Sequence, residues 1–185
     1  MKKLLTAALI LVLCLMVGGV SSAGKKRTPE PDVGVVIVGS ADYTTEDFLK
    51  SASEAMGADY KVGQDIQQKL ALFWFERGVV EERATMTKEE MIDFARYSGL
   101  RRVIYVVTGN PKVENSSDLW SRRIIRASMN ARVIVMEGDG TMVDIFGASQ
   151  NGDSSASELR AKRDCFKKIM REVRAHIENK KGGAK

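Results

Sequence analysis

Apolar and polar positions alternate without a break from Arg126 to Val133, and the apolar set continues to Val135. Ala127, Met129, Ala131, Val133 and Val135 fall on one side, and Arg126, Ser128, Asn130 and Arg132 on the other. A period of two is that of a strand with one face on a core and the other in water. The stretch EGDGT (137–141) then supplies a tight turn, and MVDIFG (142–147) the returning strand of a hairpin. VGVVIVG (33–39) and RRVIYVVTG (101–109) are continuous, β-branched apolar runs, which predicts strands that are buried rather than half wet. VVEE (79–82) is short enough to be at most a minor strand, and NPKVENSSDLWS (110–121) reads as a loop.

Helical spacing fills the gaps. TTEDFLKSASEAMG (44–57) has a hydroxyl cap, an acidic first turn and Gly57 as a stop. QDIQQKLALFWFERG (64–78) places Ile66, Leu70, Phe73 and Trp74 on one face, while Leu72 and Phe75 project elsewhere. A helix apolar over so much of its circumference is either sandwiched, with the preceding helix as the expected cover, or exposes a contact patch. TKEEMIDFARYSG (87–99) carries a capping box, Thr87 with Glu90, and ends at Gly99. The last element is a long helix from a capping box at Ser155 and Glu158 to about Ile177. Its apolar arc is Leu159, Phe166, Ile169, Met170, Val173 and Ile177, with Cys165 at the edge. The order β-α-α-(β)-α-β-β-β-α predicts an α/β (α+β-like) fold with a single mixed β-sheet and packed helices.

The N-terminus changes the picture of where this fold resides. Lys2 and Lys3 precede an uncharged apolar run, Leu4 to Val17, and small residues follow up to Ala23. This is the n, h and c pattern of a signal peptide over 1–23, with cleavage between Ala23 and Gly24 and export to the periplasm or beyond. An uncleaved anchor is the rival, although the run breaks at Gly18-Gly19; lipidation is another, although Cys14 lies inside the apolar run after Leu13. Removing 23 of 185 residues leaves 162, and losing Lys2 and Lys3 lowers the net charge from +5 to +3. The mature chain then has no transmembrane segment. Residues 24–32, with Pro29 and Pro31, read as a flexible lead-in; 33–178 is one domain, and 179–185 a disordered basic tail.

The order of elements resembles the small α/β domain shared by the curli-secretion protein CsgG, the TolB N-terminal domain and the outer-membrane activators of penicillin-binding proteins. The stretches that carry the resemblance are FARYSGLRRVIYVVTG (94–109), ARVIVMEGDGTMVDIFG (131–147) and the helix that follows. The chain departs from that group in lacking a lipobox and in having an extra helix before residue 63. It also resembles uncharacterised exported bacterial proteins through SELRAKRDCFKK (157–168), a likeness that implies no activity. The first resemblance implies a non-enzymatic exported module that binds or helps assemble a cell-envelope component.

Catalytic chemistry finds little support. The mature chain has one cysteine, Cys165, and one histidine, His176, so no internal disulfide can form. Both lie on one helix, about 16 Å apart along its axis, too far to act as a pair. No nucleophile elbow, phosphate loop or dinucleotide fingerprint occurs, and no cofactor or metal site is expected. The alternative is a small carboxylate-dependent hydrolase of the periplasm using Asp139, Asp144 or Asp153, which requires two of them to face one another in a pocket.

Binding has more candidates. Arg160, Arg163, Lys167, Arg171 and Arg174 form a basic stripe beside the apolar arc of the last helix. Two readings of it stand: a solvated helix flank, or a patch for an anionic envelope component or envelope protein. The same pair of readings applies to Arg126 and Arg132 on the wet strand face, to which Arg102, Arg122 and Arg123 would add. Trp120, aromatic among arginines on a loop, is a further partner contact. Nucleic acid is not an expected partner, because export removes it and the charge is modest.

Overall fold

The computed structural model describes residues 32–79, 85–117 and 123–182. The signal peptide with Ala23 and Gly24, most of VVEE, and both Trp120 and Arg122 lie outside the described residues. Strand β1 (Val33–Val38) leads through a 3-10 turn (Ala41–Thr44) to α1 (Glu46–Met56), α2 (Gln64–Glu76) and α3 (Lys88–Ser98). Strands β2 (Arg102–Thr108), β3 (Lys112–Ser117), β4 (Arg123–Glu137) and β5 (Met142–Ser154) follow, and α4 (Glu158–Gly182) closes the chain. This is the single mixed sheet with packed helices that the sequence pattern predicts.

β1 runs parallel to β2, and every other pairing is antiparallel. The 15-residue β4 organises the sheet. β5 pairs with it from Ile125 to Met136, while β2 pairs with Ala131–Glu137 and β3 with Arg123–Ser128. Since a strand has only two edges, β2 and β3 lie end to end along the same edge of β4. Gly109 bridges them, its N–H donating to Asn130 O at 3.1 Å. The sheet is therefore four columns wide although it has five strands.

β3 corrects the loop expected over 110–121. KVENSS has no apolar alternation, and all but one of its residues are at least mostly exposed. It is a strand because β4 offers it an unpaired edge beyond the end of β2. β5 likewise continues past Gly147 to Ser154, beyond the hairpin its apolar residues suggested.

Helices sit on both faces. α1 and α4 pack on the face formed by the odd-numbered residues of β4, over Val35, Ile37, Ala127, Met129, Val133 and Val135. α2 and α3 pack on the other face, over Val36, Val103, Tyr105, Ile134 and Met136. This overturns the expectation that α1 covers Leu72 and Phe75. With α1 on the far side of the sheet, these residues remain 57% and 70% exposed.

The start of α4 differs as well. Ser154 Oγ accepts from Ala156 N and Ser157 N, holding the chain in a turn, and Ser157 Oγ then accepts from Arg160 N. Ser157 is the cap, not Ser155. That register leaves Leu159 exposed, whereas Phe166, Ile169, Met170, Val173 and Ile177 are buried as the arc predicts. The capping box of Thr87 and Glu90 forms in both directions.

Candidate functional site

The two faces of the sheet differ in how completely they are covered. α4 lies along β4 and β5, so the odd residues of β4 are dry from Ile125 to Val135. α3 reaches only the Ile134–Met136 end of β4 on the opposite face. Arg126, Ser128, Asn130 and Arg132 therefore line an open half-face, together with the β5 residues registered against them. Arg126 is answered by Asp153, its Nε donating to Oδ1 at 2.8 Å, which holds the Asp153 carboxyl below its ordinary range. Ser149 donates to Asn130 Oδ1 at 2.7 Å. Arg132 stands opposite Gly147, which offers it no side chain, and it makes no ion pair among the described residues.

Where this open face meets α3 lies a cavity of about 280 Å³. Met91 of α3 and Met86 of the segment just before it form one wall, Ile134 and Met136 its floor, and Met142 and Ile145 of β5 its outer side. Met142 and Ile145 are each 44% exposed. Lys88 and Arg132 stand at its margin. No sequence motif marks this place; its only signal is the methionine content of nine, four of which come together here from three elements and the segment just before α3.

The other arginine candidates separate. Arg102 pairs with Glu137 at the far end of β4. That is eleven residues from Arg126, roughly 36 Å away, so it does not join the same neighbourhood. Arg123, at an odd position, belongs to the opposite face from Arg126 and donates to Asn115 Oδ1 at 3.2 Å.

The basic stripe of α4 is largely matched by acids. Arg163 donates to Asp47 at 2.6 Å and Lys167 to Glu54 at 2.8 Å, both across to α1. The Lys167 hydrogen bond, with its charge, holds the Glu54 carboxyl below its ordinary value. Arg174 meets Glu178 at 2.7 Å one turn on. Arg160 and Arg171 are exposed and make no ion pair among the described residues. Two of the five stripe cations thus form inter-helix ion pairs, because the acidic side of α1 packs against that part of α4.

Of the groups considered for catalysis, His176 and Asp144 come together and the others stand apart. Cys165 is buried and its Sγ donates to Gln150 O at 3.0 Å; burial pushes the thiol above its ordinary value. His176 stacks on Phe146 with ring centroids 3.7 Å apart and meets Asp144 at 3.1 Å. Lys180 completes that cluster at 2.8 Å from Asp144, whose carboxyl is held low chiefly by the Lys180 hydrogen bond. Asp139 caps the hairpin turn through Thr141 N at 2.8 Å. Asp144 and Asp153 stand on opposite faces of β5, nine residues apart, so none of the three carboxylates faces another. Among the described residues no cluster of three His, Cys, Asp or Glu could hold a metal ion, and no helix is long and apolar enough to cross a membrane.

No family model and no curated protein matches the chain. Three solved structures align with the chain at low identity and TM-scores below 0.5. Lipoprotein GNA1162 from Neisseria meningitidis is 14% identical, with 82% of this chain and 98% of that one aligned at a TM-score of 0.42. A minor lipoprotein from Acinetobacter baumannii is 7% identical over 82% and 95% at a TM-score of 0.40. The LpoB C-terminal domain from Salmonella enterica is 15% identical over 67% and 85%, also at 0.40.

Proposed function

We propose that the chain is exported, that cleavage after Ala23 leaves it beginning at Gly24, and that 33–178 is a non-enzymatic module binding a cell-envelope component. The likeness to CsgG and TolB belongs to the same proposal. The observation that carries the binding reading is the inequality of the two sheet faces. One is sealed by α1 and α4, whereas the other is left half open, with a cavity at its covered end and, beside it, Arg132, which makes no ion pair among the described residues. Sheet surface that keeps Met142 and Ile145 in water is surface suited to a partner.

Within this reading the open face takes precedence over the helix stripe, because Arg163, Lys167 and Arg174 already have carboxylates. Arg160 and Arg171 are secondary contacts, and Trp120 stays a contact on its sequence context alone. Photo-crosslinkers placed at Ser149 on the open face and at Arg171 on the stripe test this in the native host, with intact mass of the fractionated protein reporting export. An exported form beginning at Gly24, crosslinked from 149 and not from 171, is the expected result. Retention in the cytoplasm, or adducts from 171 alone, overturns the proposal.

A further inference from the structure

We infer that the cavity between the start of α3 and the β4–β5 hairpin binds a single-chain amphiphile with a carboxylate head, a free long-chain fatty acid. This rests on the open face being a binding surface, but not on export. The lining asks for two chemistries at once. Met86, Met91, Ile134, Met136, Met142 and Ile145 supply an apolar trough, and among the described residues no acidic side chain lines it. Lys88 and Arg132 stand at its margin, and neither makes an ion pair among the described residues.

Like Arg160 and Arg171, and unlike several other cations, they meet no carboxylate among the described residues. Arg77, Arg101, Arg102, Arg126, Arg163 and Lys167 each meet a carboxylate. An alkyl chain with an anionic end would remove the exposed Met142 and Ile145 surface from water and neutralise the two cations in one event.

The cavity also disfavours more polar anions. Two of the four amides at the start of α3 that could cradle a phosphate are occupied, because Thr87 N donates to Glu90 Oε2 and Glu90 N to Thr87 Oγ1. Apart from the two cations, Thr85 is, among the described residues, the lining residue with a side-chain hydrogen-bonding group. Four methionines suit a flexible chain, since an unbranched thioether repacks around varied shapes at little cost. The volume of about 280 Å³ is near the lower end for small-molecule sites, which fits one alkyl chain rather than a two-chain lipid.

The same methionines provide the test. Protein carrying ¹³C-methyl methionine is titrated with dodecanoate below its micelle concentration and followed by NMR. The methyl signals of Met86, Met91, Met136 and Met142 should shift, while Met56, Met129 and Met170, in the core on the other face, stay in place and report that the fold is intact. The uncharged analogue dodecanol should bind about tenfold more weakly, in line with the loss of its charge-assisted contacts. Lys88→Glu with Arg132→Glu should weaken dodecanoate by about thirtyfold and reverse the preference toward dodecylammonium. Both positions are exposed, and an acid in the first turn of α3 suits the helix dipole, so the double variant should fold. Shifts spread over all the methionines, dodecanol binding as tightly as dodecanoate, or no shift up to the solubility limit would each overturn the assignment. Because every probe is a residue of the cavity or the opposite core, the outcome is independent of whether residues 1–23 are removed.

Discussion

Gly152 is where the packing of α4 on the sheet is most exacting. A Cβ at this position of β5 would lie 2.2 Å from Cys165 N, 2.3 Å from Ala161 O and 2.8 Å from Cys165 Cα. All three are backbone atoms of α4, so no side-chain rotation can relieve the overlap. Restoring ordinary contact requires the helix to retreat by roughly 1 Å. That would loosen Phe166, Ile169, Met170 and Val173, which α4 inserts into the larger core. Overpacking relieved only by backbone movement belongs at the top of the usual range, so Gly152→Ala should cost about 3 kcal/mol. At about 2–4 °C per kcal/mol for a domain of this size, the melting temperature should fall by roughly 6–12 °C.

Gly147 on the same strand is the control. It faces the open side, where an added Cβ meets nothing within 4 Å. Gly147→Ala should therefore be neutral, or stabilising by about 0.5 kcal/mol, since alanine has less chain entropy to lose. Urea unfolding at 25 °C followed by circular dichroism, alongside thermal melts, measures both. If the two variants fall within about 1 kcal/mol of each other, the close approach of α4 to β5 described above is wrong.

Other consequences are smaller. Asp144 is held below its ordinary carboxylate value by Lys180 and His176, so its contribution is present above the unfolded value near 4 and is lost as pH falls through the lowered one. Asp144→Asn should then cost about 1 kcal/mol at pH 7, discounted because Lys180 is well exposed, and the gap to the native chain should close below pH 4 in urea titrations. Cys165, buried and with its thiol pushed up, should resist maleimide in native buffer and react fully in denaturant; rapid native labelling would contradict the packing described. Lys167→Glu sets a second acid opposite Glu54 and should lower the melting temperature, and adding Glu54→Lys should recover it if the α1–α4 pair forms in solution.

The elements themselves were legible because their signals are local. The period-two run from Arg126 to Val133, the continuous apolar strands, the Thr87–Glu90 box and the Gly57 and Gly99 stops each act within a few residues, and each appears where the pattern predicts it. What the sequence could not express is which face of the sheet each helix takes. Leu72 and Phe75 stay in water because α1 crosses to the side of α4, and the stripe from Arg163 to Lys167 is matched because that crossing brings Asp47 and Glu54 beside it. β3 was invisible for a related reason: its residues carry no apolar pattern, and only the spare length of β4 makes them a strand. The cavity is a product of the same long-range choices, since Met91, Met136 and Met142 come from three separate elements and meet only when α3 stops short of β5. Local periodicity specifies an element through the geometry of its own backbone, whereas the partner of a charge or the cover of an apolar side chain is specified by residues distant in the chain, and only the folded arrangement chooses among them.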